Sequence, residues 1–92
     1  MVESIRESYT LVDRDENIIG FEIDEKIADI HRFLKVYREP DGIIIWFNSK
    51  DFNNDQNPIR LSMLLNVDEA RHLGLSLIEQ AFALDNKMKL ND

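Results

Sequence analysis

Glu39-Pro40-Asp41-Gly42 is followed by Ile43-Ile44-Ile45-Trp46-Phe47, and these nine residues decide the fold. Proline presets the first central position of a tight turn, and glycine tolerates the backbone geometry at its end, so the two flanks should pair as antiparallel strands. The second flank is a run of β-branched and aromatic residues and reads as a strand. The turn at Pro40 also calls for a strand before it, over roughly residues 31–38. Residues 24–38 carry a competing signal. Ile23, Ile27, Ile30, Leu34 and Tyr37 recur at helical spacing behind Asp24, a possible N-cap, so this stretch stays open between helix and strand.

Working outward, Tyr9-Thr10-Leu11-Val12 and Ile18-Ile19-Gly20-Phe21-Glu22-Ile23 are β-rich and flank the polar Asp13-Arg14-Asp15-Glu16-Asn17, which predicts a hairpin. On the other side, a polar segment from Asp51 to Pro58 leads into Ile59-Arg60-Leu61-Ser62-Met63-Leu64-Leu65, a further alternating strand. Asn66 and Glu69 then form a capping-box pair ahead of an amphipathic helix. Val67, Ala70, Leu73, Gly74, Leu77, Ala81 and Leu84 make its apolar stripe, and Leu75, Ile78 and Phe82 widen that stripe to an arc of about 200°. Gly74 in mid-helix predicts a close approach to a strand or a second helix, since glycine there costs about 1 kcal/mol relative to alanine. The chain therefore reads as a single α+β domain over 1–92: an antiparallel sheet of four or five strands with a long C-terminal helix (about 67–85) packed on one face.

Composition narrows the function classes. The 92 residues carry a formal charge of −7, against non-specific attraction to duplex DNA or an anionic membrane. The charge is uneven: residues 1–29 are strongly acidic, and 30–50, with Arg32, Lys35, Arg38 and Lys50, form the one basic third. Cysteine is absent, which removes disulfides, thiolate metal sites and a cysteine nucleophile. No apolar run is long enough to span a bilayer, and the first residues lack a signal-peptide core, so a cytoplasmic location is expected.

Catalytic and metal chemistry find little to stand on. Asp13-x-Asp15-x-Asn17 and Asp51-x-Asn53-x-Asp55-x-Asn57 resemble calcium-loop openings, but the glycine that an EF-hand requires at its sixth position is missing from both. The two histidines, His31 and His72, share no ligand spacing. Glu69, His72 and Ser76 fall near one another on the polar arc of the helix, where no pocket or oxyanion donor is available. Gly20, Gly42 and Gly74 stand too far apart for a phosphate loop. The expectation is a non-enzyme with no cofactor and no metal.

Two surfaces remain as candidates. If Leu34, Val36, Ile43, Ile45, Phe47, Leu61, Met63 and Leu65 face the helix, the opposite sheet face presents Phe33, Lys35, Tyr37, Trp46 and Arg60, accompanied by His31, Ile44, Asn48, Ser62 and Leu64. Aromatics among cations suit a protein interface or the stacking of single-stranded bases, unless a second layer covers them. The second candidate is the ridge Leu75, Ile78 and Phe82, which exceeds what one sheet face can cover and suits a homodimer, with the N-terminal hairpin as its competitor for the same ridge.

From Tyr37 to Phe47, and again from Ile59 to Ala70, the pattern of meander, cap and helix resembles the single-stranded-DNA-binding fold of the transcriptional coactivators and their small bacterial relatives. The likeness covers about the last two thirds of the chain at the level of pattern, without a specific motif, and the acidic first third departs from that family's basic character. It implies a single-stranded nucleic-acid-binding module as the alternative to the main expectation. That main expectation is a small regulatory or interaction protein acting through a homodimer or a protein partner.

Overall fold

The computed structural model describes residues 4–51 and 58–90. Five strands precede one helix: β1 (Ser4–Val12), β2 (Ile18–Ile27), β3 (Ile30–Glu39), β4 (Gly42–Asp51), β5 (Ile59–Leu65) and α1 (Val67–Leu90). The strands form one antiparallel meander in the order β1-β2-β3-β4-β5. The fold is α+β, with the helix packed against the sheet at β4 and β5. The segment between Asp51 and Pro58, and with it the second Asp/Asn run, lies largely outside the described residues.

Each hairpin has a local cause. Between β1 and β2, Asp13 organises the turn: its Oδ1 accepts from the amides of Asp15 (2.8 Å) and Asn17 (3.0 Å), and its Oδ2 accepts from Asn17 Nδ2 (3.2 Å). These bonds, the Asn17 amide foremost, hold the Asp13 carboxyl below the usual aspartate range. Glu16 takes a positive φ of 64° there, and the pairing shifts register between Leu11 and Val12. Between β3 and β4, Pro40 and Asp41 form a two-residue connection with Glu39 opposite Gly42. Gly42 is needed for closeness: a Cβ at this position would sit 2.5 Å from the Leu65 carbonyl oxygen.

Residues 24–38, open between helix and strand on sequence grounds, are two strands joined at Ala28 and Asp29. The apolar residues at helical spacing divide between them. Ile23, Ile27, Ile30 and Leu34 share one sheet face, while Tyr37 lies on the other. The turn is made without glycine or asparagine, and Ala28 sits at φ 51°. A left-handed alanine costs on the order of 1 kcal/mol that glycine would not. Ala28→Gly is therefore expected to raise the urea midpoint slightly, by less than 1 kcal/mol in stability after glycine's greater unfolded-state entropy is subtracted. A fall in the midpoint would refute the strain at this turn.

The helix begins one residue after β5. Asn66 and Glu69 form the reciprocal cap expected of them: the Glu69 amide donates to Asn66 Oδ1 at 2.8 Å, and the Asn66 amide donates to Glu69 Oε1 at 3.0 Å. The helix extends to Leu90, beyond the expected end near 85. Gly74 departs from expectation, because a Cβ there would meet nothing within 4 Å. No close approach among the described residues explains it.

Packing is thin. Among the described residues Leu65, 7% exposed where β5 meets the helix, is the one buried large side chain. The radius of gyration is 16.2 Å, against about 12 Å for a compact domain of this length. The total accessible surface is 7998 Å², whereas about 5,500 Å² is usual for a folded monomer of 10.8 kDa.

Candidate functional site

The ladder fixes which side chains share a face, because directly paired residues of an antiparallel sheet point the same way. Leu34, Phe47 and Leu61 form one row, Val36, Ile45 and Met63 a second, and Ile43 and Leu65 a third. This is the apolar face expected from the sequence. Phe21, Ile23 and Ile27 extend it onto β2. Toward the β1 edge it carries a charged cluster, in which Glu25 Oε1 accepts from Arg32 Nε at 2.9 Å and Glu25 Oε2 lies 3.7 Å from Arg6 Nε.

The opposite face gathers the other candidates. Phe33 pairs with Asn48, which pairs with Arg60; Lys35 pairs with Trp46, which pairs with Ser62; Tyr37 pairs with Ile44, which pairs with Leu64. The structure thus brings Phe33, Lys35, Tyr37, Trp46 and Arg60 onto one surface. Phe33 and Trp46 meet edge to face with centroids 5.6 Å apart, and Lys35 Nζ lies 5.0 Å from the centroid of the Tyr37 ring. Phe33, Lys35, Tyr37 and Trp46 are half-exposed and Arg60 is exposed. Among the described residues, neither the helix nor the N-terminal hairpin folds over them as a second layer. Instead the hairpin continues the same sheet.

That continuation brings a feature the sequence reading missed. Glu7, Tyr9, Glu22 and Asp24 stand on the same face as the aromatics, through the pairs Glu7 with Asp24, Tyr9 with Glu22, Glu22 with Lys35 and Asp24 with Phe33. The face is divided: mainly acidic on β1 and β2, where Lys26 is the one base, aromatic along β3 and β4, and basic at Lys35, Lys50 and Arg60. Asp24 Oδ1 lies 2.6 Å from His31 Nε2. The Tyr9 hydroxyl donates to Glu7, and that bond, with the nearby acids, raises the phenol above its ordinary value. The strand periods of β1 and β2 held this information, but only the register shows which parity faces the aromatics.

The helix ridge is open. Leu75, Ile78 and Phe82 are all exposed, the last two at 69% and 67%. So are Leu73, Leu77 and Leu84 on the other flank of the apolar arc. Ala70 and Gly74 are the half-buried positions of the described part of α1. The β1–β2 hairpin is paired into the sheet and does not cover the ridge. His72 Nδ1 donates to the Asp68 carbonyl at 2.9 Å, so its ring is tied to its own helix backbone. No helix among the described residues is long and apolar enough to cross a membrane. Comparison of the chain with protein-family models, with curated proteins and with solved structures finds no match in any of the three.

Proposed function

We propose that this chain is a small, non-catalytic interaction protein of regulatory type that works as a homodimer and joins its copies along Leu75, Ile78 and Phe82. The observation that carries this reading is the imbalance between apolar surface and burial. One chain leaves both flanks of a 24-residue helix in water and buries one large side chain among those described. Monomeric domains rarely leave a contiguous apolar surface of that extent open. A non-catalytic role is supported by the separation of the two histidines, one beside Asp24 and one tied to its own helix backbone. A cytoplasmic home and a further protein partner belong to the same proposal. Sedimentation equilibrium tests it: a mass of 10.8 kDa at high protein concentration would overturn it.

A second reading is favoured by the half-exposed aromatics beside Lys35 and Arg60, which suit stacking on single-stranded bases. Glu7, Glu22 and Asp24 would confine a strand to the β3–β5 side of the face. On this reading a labelled oligonucleotide binds with strong salt dependence, and Trp46→Ala weakens it by about 1–3 kcal/mol, about 5- to 150-fold. Anisotropy at low salt decides the matter. No binding at about 100 µM protein, near the range of non-specific affinities, would remove it.

A further inference from the structure

Two apolar surfaces of this chain lie open side by side and do not cover one another. On the sheet, Leu61 and Met63 of β5 are each 62% exposed, and their face continues through Phe47, Ile45, Leu34 and Ile23. Ile23, Leu34 and Phe47 line a shallow groove of about 380 Å³ beside the Arg6–Glu25–Arg32 cluster. On the helix, Leu73, Leu77 and Leu84 form one row, and Leu77 and Leu84 are 63% and 60% exposed. A helix lying along the full length of its own β5, rather than only meeting it where Leu65 is buried, would have buried Leu61 and Met63 as well.

The connection between the two is short. A single residue, Asn66, joins β5 to α1, so the helix leaves in a direction set at that joint, and the reciprocal bonds with Glu69 together with the Ala70 amide on the Asn66 carbonyl (3.0 Å) hold its first turn. Along that direction its half-buried positions end at Gly74, although the helix is about 36 Å long.

We propose that the two surfaces cover each other between copies: the Leu73–Leu77–Leu84 row of each helix lies on the apolar sheet face of the other chain, beside Leu61 and Met63. This rests on the homodimer reading and adds a second contact to the Leu75–Ile78–Phe82 ridge. An apolar arc of about 200° is wide enough for both, since a single sheet contact uses little more than 100°. The area agrees with a second copy as occupant. Each chain exposes on the order of 2,000 Å² more than a compact monomer of its mass, and two such surfaces together fall in the range of obligate homodimers.

The absence of cysteine makes the test clean. A Met63→Cys/Leu77→Cys variant is prepared with and without nitrogen-15, the two forms are unfolded and refolded together in equal amounts, and a short bismaleimide is added. Exchange between copies predicts linked 63–77 peptides of which half join a heavy to a light chain. The corresponding Ser62→Cys/Leu77→Cys pair, with Ser62 on the opposite face, should give no such link. Linked peptides that are all heavy or all light would show the helix closing on its own sheet and overturn the proposal. Absence of a 63–77 link in a protein that sediments as a dimer would overturn the exchange and leave the homodimer standing. A monomer by sedimentation removes both.

Discussion

Phe82→Asp is expected to abolish the dimer. At 67% exposure in the single chain, Phe82 contributes to stability only when a second copy covers it. Full burial of a large apolar side chain is worth about 1.5–3 kcal/mol. A two-fold dimer loses this twice, so the dissociation constant should rise by about 10²- to 10⁴-fold before any penalty for the buried carboxylate is counted. The same change should remove the concentration dependence of the melting midpoint, since only association makes the midpoint rise with protein concentration. A chain with so small a core should also melt at a lower temperature once separated from its partner. Ser76→Asp, on the polar arc of the same helix, is the matched control and should leave sedimentation unchanged. Wild-type protein whose midpoint is the same across a hundredfold range of concentration would sink the reading. So would a Phe82→Asp variant that still sediments as a dimer.

How much of this was legible beforehand differs from element to element. The β3–β4 hairpin was readable because Pro40 and Gly42 punctuate it, and the start of α1 because Asn66 and Glu69 are a chemically specific pair. The β2–β3 hairpin was ambiguous because its turn carries no such signal. Ala28 adopts a left-handed conformation that its residue type does not announce, and apolar residues at helical spacing span the turn. Long-range pairing, which periodicity does not encode, settled it. The aromatic-basic face was readable as a set because strand parity alone places Phe33, Lys35 and Tyr37 together. Its acidic half was not, since a one-residue change of register on β1 or β2 would have sent Glu7, Glu22 and Asp24 to the other face. The helix stripe was visible from spacing, but spacing says only that an apolar surface needs cover. It cannot say whether the same chain supplies that cover, and only the exposure of Leu61, Met63, Leu77 and Leu84 in three dimensions shows those residues left open in the single chain.

Gly20→Ala should be among the most damaging single substitutions in the sheet. Gly20 lies on β2 opposite Tyr37, and a Cβ there would stand 2.2 Å from the Val36 carbonyl oxygen and 2.8 Å from both Cα and Cβ of Tyr37. Two of these three are backbone atoms of β3, so no rotamer change can make room. Relief requires β2 and β3 to separate locally, at the centre of a meander in which β1 is attached through β2 alone. Overpacking costs about 1–3 kcal/mol when side chains can yield, and the ladder bonds lost here add to it, so about 3 kcal/mol or more is expected. With a urea dependence of about 1–3 kcal/mol per molar, the unfolding midpoint should fall by at least about 1 M. Gly74→Ala provides the contrast within the same molecule. Its added methyl meets nothing within 4 Å, and alanine is favoured over glycine by about 1 kcal/mol inside a helix, so that variant should be the more stable one. If instead Gly20→Ala is neutral, β2 and β3 do not approach as closely as the Gly20–Tyr37 pairing requires. If Gly74→Ala is the damaging change, the helix meets a second copy at Gly74 itself, and the contact between chains shifts from the Leu75–Ile78–Phe82 ridge to the middle of the arc.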